Sequence, residues 1–203
     1  MNKAPFFCVL DGIDGCGSTT HSKLLAGFLK NKGFKVHHTQ EPTKNEIGEL
    51  VRKFLKKNEA PPTTDALLFA ADRDYHYQTE IKPKLEENYI VISDRYIESS
   101  IVYQSLQSTQ ISVEWVKIIN KFVGKPNLTI ILDIDPKISL ARKSQQNLEK
   151  FENVSFLNKV RNAYLERAEK EEYAIINTDE IIEVVQNKIQ KILFEHLNKE
   201  NIF

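Results

Sequence analysis

Three things are scarce in these 203 residues, and each scarcity excludes something. Cysteine occurs only at Cys8 and Cys16, with a spacing that is not CxxC. Two such thiols cannot build a disulfide framework or, alone, a zinc site, and reduced thiols suit a cytosolic chain. Net charge is missing as well: 28 Lys and Arg stand against 28 Asp and Glu. A general nucleic-acid binder needs excess positive charge to displace counterions, so that class is set aside, although one local basic pocket for a phosphate is not. Long apolar runs are also lacking. The amino-terminal run of about five residues is too short for a signal-peptide core, and nothing approaches the roughly 18 apolar residues of a membrane span. The expectation is a soluble, cytoplasmic protein with no nucleic-acid or membrane partner. No repeat, low-complexity tract or Gly-, Pro- or Ser-rich linker divides the chain, so a single domain over residues 1–203, with room for an inserted lid, is expected at this length.

What is present is an alternation. Short apolar strands fall at Phe6–Leu10, Phe34–Thr39, Tyr89–Ser93, Leu128–Ile134 and Tyr173–Asn177. Several are continuous apolar runs, the pattern of strands buried on both faces of a parallel sheet. Between them, Ile47, Leu50, Val51, Phe54 and Leu55 recur at helical spacing, and Pro61-Pro62 closes that segment. Thr63-Thr64-Asp65 can cap the helix that follows, and Lys32-Gly33 reads as the stop of a helix begun near Thr19. Another helix is expected over Val113–Val123, and a last one carries Ile181, Ile182, Val185, Ile189, Ile192 and Leu193. This order predicts an α/β fold of three layers, α/β/α, around a five-stranded parallel sheet.

The first strand runs into DGIDGCGSTT and then a helix. Glycines between strand and helix let backbone N–H groups point at an anion, and the helix start adds partial positive charge. Gly12 and Gly17 have the spacing of a phosphate-binding loop, and Thr19 supplies a hydroxyl able to hold Mg²⁺. The lysine expected after the second glycine is replaced by Ser18. Without it the motif is much less specific, and a glycine-rich turn with no ligand stands as the alternative for the loop read alone.

Other segments extend the pattern: TQEPT (39–43), LLFAADRDYH (67–76), VISDRY (91–96), SSIVYQ (99–104), PNLTIILDIDP (126–136) and FLNKVRNAYLERA (156–168). Taken together, in this order and register, they resemble the thymidylate kinases over essentially the whole length. The resemblance implies a P-loop nucleoside monophosphate kinase, with a monophosphate-binding segment near 39–76 and a lid near 142–155. It implies ATP as donor, dTMP as acceptor, Mg²⁺ as cofactor and a homodimer.

The same resemblance assigns residues. Gly12, Asp14, Gly15, Cys16, Gly17, Ser18, Thr19, Thr20 and Arg142 are expected around ATP, and Thr19 and Asp94 around the metal. Asp14, Glu41, Pro42, Phe69, Arg73, Arg95, Ser99, Ser100, Tyr103 and Gln104 are expected around dTMP. Within that set Phe69 stacks on the base and Arg73 hydrogen-bonds it. Tyr103 crowds the sugar 2′ position, Asp14 faces the 3′-hydroxyl and Arg95 meets the acceptor phosphate. Asp14, Arg95, Arg142 and Lys150 are the expected catalytic groups. By residue type alone, Phe69 is as well a core aromatic, Arg73 a solvated cation, Asp14 a turn cap and Asp94-Arg95 a surface ion pair. Tyr103 is as well a half-buried aromatic, and Glu41-Pro42 a plain loop turn.

Three departures from the family pattern remove positive charge: Ser18 in the loop, Lys150 where a lid arginine is usual, and Gln40 before Glu41-Pro42. The family carries a catalytic arginine either in the loop or in the lid, so with the uncharged Cys16 the resemblance implies the lid arrangement. Two alternatives therefore stand beside a dTMP kinase: a nucleotide-binding homologue with weak or lost catalysis, and a kinase for another deoxynucleoside monophosphate.

Overall fold

The computed structural model describes residues 4–57, 60–142, 153–200 and 202. Its centre is five parallel strands: β1 (Phe6–Gly12), β2 (Val36–Gln40), β3 (Ile90–Asp94), β4 (Leu128–Asp133) and β5 (Ala174–Asn177). Their order across the sheet is β2-β3-β1-β4-β5. Every residue of β1 and β3 is buried, which is why Phe6–Leu10 and Ile90–Ile92 are continuous apolar runs. The pleat splits them between two faces. Phe6, Cys8 and Leu10 join one large cluster with Ile90 and Ile92, while Phe7, Val9 and Val91 pack with Ile81 and Tyr96 on the other side.

Helices cover both faces. The helices α1 (Ser18–Asn31) and α9 (Ile182–Lys199) pack on each other, as do α5 (Ile97–Gln107) and α8 (Val154–Glu171). The remaining helices are α2 (Glu46–Lys57), α3 (Pro62–His76), α4 (Lys82–Glu86), α6 (Val113–Ile119) and α7 (Pro136–Arg142). A π-helical turn, Tyr77–Ile81, joins α3 to α4 without a break in helical dihedrals. This is the three-layer α/β arrangement that the alternation predicts.

Several boundaries differ from the sequence expectation. Helix α3 begins at Pro62 with Pro61 as its cap, so Thr63, Thr64 and Asp65 form the first turn instead of capping it. Proline suits that first position because its missing N–H would have had no partner there. Helix α6 stops at Ile119 and not at Val123. Asn120 follows it, with its side-chain amide bound back to Val116 O at 2.8 Å and its carbonyl taken by Arg73. Helix α1 ends as expected, with Lys32 as cap and Gly33 at φ 86°.

The carboxyl ends of β1, β2 and β3 lie side by side, with Leu10 and Gln40 both opposite Asp94. Loops leaving those ends carry Asp14, Glu41, Pro42 and Arg95, while α3 carries Phe69 and Arg73 and α5 carries Ser99, Ser100, Tyr103 and Gln104. In open parallel sheets ligands bind at this edge.

Candidate active site

Two cavities open here. The first holds about 100 Å³ and is lined by Asp14, Glu41, Pro42, Leu55, Phe69, Arg73, Arg95, Tyr96, Ser99, Ser100, Tyr103 and Gln104. All ten residues expected around the acceptor are among them, and Leu55 and Tyr96 are additions. The second, of about 500 Å³, lies over the glycine loop and is lined by Asp14, Gly15, Gly17, Ser18, Thr19, Thr20, His21, Arg95, Arg142, Thr178, Glu180 and Ile182. Asp14 and Arg95 belong to both walls.

The glycine loop explains itself locally. Gly15 and Gly17 have φ of 80° and 96°, a region that side chains rarely adopt. A Cβ on Gly15 would also stand 2.6 Å from Ser139 O, so α7 seals the loop from behind. Gly12 and Cys16 stand off the cavity wall. The Cys16 N–H donates to Ile13 O at 3.1 Å and its thiol is fully buried. Burial pushes that thiol up to about 11.

Asp94 ends β3 and accepts the Thr19 hydroxyl at 2.5 Å on Oδ2. Its other oxygen, Oδ1, is buried with no partner among the described residues. An orphaned carboxylate oxygen beside a threonine hydroxyl is a donor set that fits a hard divalent cation. Among the described residues no group of three or more His, Cys, Asp or Glu is arranged to hold a metal ion, so any such cation would complete its shell with phosphate oxygens and water.

Arg95 is the partition between the cavities. It adopts φ 71°, unusual for a residue with a side chain, and such strain persists only where its surroundings over-determine it. Nη2 donates to Asp14 at 2.7 Å, and Nη1 to Gly12 O at 2.8 Å and Ser99 Oγ at 2.9 Å. Burial works against its charge, but Asp14 and the neighbouring Tyr103, Tyr164 and Asp11 oxygens outweigh it and hold Arg95 well above its ordinary value.

Behind Arg95 stands Asp11, which the sequence reading passed over. It is fully buried. Its Oδ1 accepts from Gly12 N at 2.9 Å, Ser99 Oγ at 2.7 Å and the Tyr164 hydroxyl at 2.7 Å. Its Oδ2 accepts from Tyr96 N at 3.3 Å and Ser99 N at 3.1 Å. Burial raises this carboxyl while Arg95 and these donors pull it down. The only sequence signal was an acidic residue inside an otherwise apolar strand.

The first cavity is lined by apolar Leu55, Phe69 and Pro42 together with polar groups. Ser100 Oγ and Gln104 Oε1 are buried there with no partner among the described residues. Tyr103 accepts the Asp14 N–H at 3.1 Å. Arg73 is no solvated cation: it is 1 % exposed and donates to Glu41 Oε2 at 2.8 Å, Asn120 Oδ1 at 2.8 Å and Tyr96 O at 3.1 Å. Glu41 in turn meets His76 Nδ1 at 3.0 Å, and His76 Nε2 meets Thr39 Oγ1 at 2.7 Å. Burial lowers His76, but its bonds to Glu41 and Glu80 more than offset this and bring it up to about 9. The segment after β2 is clamped as well, by Asp72, which accepts Thr43 N at 2.8 Å and Thr43 Oγ1 at 2.5 Å, and by Arg52 on Thr43 O and Pro42 O. Arg142, at the end of α7, donates to Thr178 O at 2.8 Å and edges the loop cavity. Lys150 lies outside the described residues, as does most of the expected lid.

A five-stranded parallel sheet with a glycine loop after β1, an acid closing β3 and paired cavities at that edge defines a P-loop fold of the nucleoside monophosphate kinase type. Comparison with known proteins narrows it. The family model for thymidylate kinase matches residues 10–189. The chain is 46 % identical over 189 residues to a protein of Pyrobaculum aerophilum named "Probable thymidylate kinase", covering 92 % of this chain and 95 % of that protein. Proteins of the same name from Staphylothermus marinus and Pyrococcus abyssi are 44 % and 40 % identical, over 95 % of this chain and 96 % and 97 % of theirs. The chain belongs to the thymidylate kinase family.

Proposed function

We propose that this protein transfers the γ-phosphoryl of ATP to dTMP, giving ADP and dTDP. The observation that carries the reading is the shared wall: Arg95 and Asp14 face both the loop cavity and the acceptor cavity. A donor phosphate and an acceptor phosphate held on either side of one guanidinium are brought into line, and phosphoryl transfer depends mainly on such positioning and charge. The acceptor phosphate is already anionic, so no strong general base is needed.

The loop amides and Thr20 hold the donor phosphates, with Arg142 beside them. Thr19 and Asp94 would hold Mg²⁺, which when bound would supply positive charge to offset that building on the transferred group. Phe69 and Leu55 offer apolar surface to a pyrimidine, while Ser100 Oγ and Gln104 Oε1 have unmet hydrogen-bonding capacity for its polar edge. Tyr103 and Asp14 border the sugar. The chain acts as one kinase domain, with the segment 39–76 carrying the acceptor and 142–155 serving as lid. Its two free, buried cysteines suit a reducing cytoplasm, and no helix among the described residues is long and apolar enough to cross a membrane. Leu67 and Tyr75 on α3, Ile118 on α6 and Phe122 beyond its end are exposed apolar residues available to a homodimer contact, which sedimentation tests.

The deciding assay is ADP release with ATP and Mg²⁺, with and without dTMP. No dTMP-dependent release would refute the reading. Ser18, lining the cavity in place of a lysine, favours one alternative: tight nucleotide binding without turnover. Calorimetry beside the assay separates the two, and an acceptor panel tests other deoxynucleoside monophosphates.

A further inference from the structure

His21 lies one turn into α1, 95 % buried on the wall of the loop cavity; its relative exposure is 5 %. Its ring is held from a distant part of the chain. The Gln186 side chain, on α9, places Nε2 3.0 Å from His21 O and 2.8 Å from His21 Nδ1. A main-chain carbonyl only accepts, so the group facing it is the amide NH₂; the reversed amide would set two oxygens against each other. One amide hydrogen goes to the carbonyl and the other to Nδ1. Nδ1 therefore accepts, and in a neutral imidazole the proton then sits on Nε2. Burial and the neighbouring Arg142 lower the His21 pKa, which keeps the ring neutral.

Nε2 bonds to no described residue, and it is not among the buried unpartnered atoms. Its direction follows from Gly17: a Cβ there would stand 3.1 Å from His21 Cδ2 and 3.5 Å from Nε2. That edge of the ring thus abuts the glycine loop, on the side where Gly17, Ser18 and Arg142 line the cavity.

We propose that His21 is a binding residue for the donor nucleotide: Gln186 locks it in the Nε2–H form, and that N–H donates to a phosphate oxygen of the nucleotide. The proposal rests on the reading of the loop cavity as the donor site. It gives a loop without its lysine a side-chain donor that adds no charge. It also makes α9 part of the site, through a residue 165 positions away in sequence.

The test is calorimetric binding of ADP and of adenosine, with the tautomer read by nitrogen NMR on the unliganded protein. The variants are His21→Phe, which keeps a ring and loses the donor, His21→Gln, which returns an N–H near Nε2, and Gln186→Met, which removes the lock. The expected result is the Nε2–H form in the wild type and a population of Nδ1–H in Gln186→Met. ADP affinity falls about tenfold in His21→Phe, the size of one hydrogen bond to a charged group, and is partly restored in His21→Gln. Adenosine binding does not change. Wild-type ADP affinity in His21→Phe, or an equal loss for adenosine, overturns the proposal, as does an Nδ1–H ring in the wild type. If His21→Phe does not melt cooperatively, Gln186→Met carries the same comparison, and unchanged ADP affinity there overturns it. Failure of the donor-site reading looks different, because the wild type itself would then bind no ADP; the proposal falls with it.

Discussion

Replacing Asp11 with asparagine tests whether the hub beneath Arg95 is a carboxylate. Five hydrogen bonds of 2.7 to 3.3 Å end on its two oxygens, and three come from backbone N–H groups that can only donate. That set of donors calls for an ionised group, despite the burial that opposes ionisation. An asparagine can present oxygen to only one side. If it faces Gly12, Ser99 Oγ and Tyr164, its NH₂ confronts the N–H groups of Tyr96 and Ser99. In the reverse placement the Ser99 and Tyr164 hydroxyls can turn and accept from the NH₂, but the Gly12 N–H is left unpaired. At about 1–3 kcal/mol for a buried donor left unpaired, the cost of the better placement is about 1–3 kcal/mol. For a chain of this length each kcal/mol moves the thermal midpoint by about 2–4 °C, so a fall on the order of 5 °C is expected. Circular dichroism melting at pH 7 reads it. The KM for dTMP should rise in parallel, because Ser99 and Arg95 lose their support. Tyr164→Phe, which removes one donor, should cost about 1 kcal/mol. An Asp11→Asn midpoint within about 2 °C of wild type would refute the reasoning, since only a carboxyl already protonated in the folded protein is matched by an amide.

Three further outcomes are expected. His76, raised from 6.5 to about 9, contributes about 3 kcal/mol of stability that is whole below pH 6.5 and is lost as pH climbs through 9; urea midpoints at pH 6 and pH 9.5 measure it, and His76→Gln flattens the difference. Ser18→Lys puts a cation into the loop cavity and raises kcat by about a hundredfold with little change in the KM for dTMP; an unchanged kcat means that another cation already serves the transferring group. Gly15→Ala, with φ 80° and Ser139 O 2.6 Å from the new Cβ, loses more than about 2 kcal/mol and weakens ADP binding, read by thermal melts with and without ADP.

The sheet and the wall of the first cavity were legible in the sequence for different reasons. β1, β3 and β4 are buried on both faces, so their composition alone marked them. The residues expected around dTMP came only through the family pattern: Phe69 and Arg73, four apart on α3, carry no local sign that both line one cavity or that Arg73 is also tied to Glu41 and Asn120. What stayed hidden were contacts between distant segments. Asp11 with Tyr164, His76 with Glu41 and Gln186 with His21 join residues 153, 35 and 165 positions apart. No periodicity records such pairings, because each is set by strand order and helix packing. The short α6 has the same origin: Asn120 bonds to Arg73 at the place where apolar spacing would have carried the helix on.

The two cysteines, noted first for what they exclude, have a use of their own. Cys8 lies inside β1 and Cys16 inside the glycine loop that follows it, both at zero exposure, with burial disfavouring the thiolate in each. A thiol so placed is unreactive until the chain around it opens. The protein thus carries two natural clocks a few residues apart, one timing the breathing of the central strand and the other the breathing of the loop. Any ligand that tightens the loop alone would slow the second clock and leave the first running at its own rate.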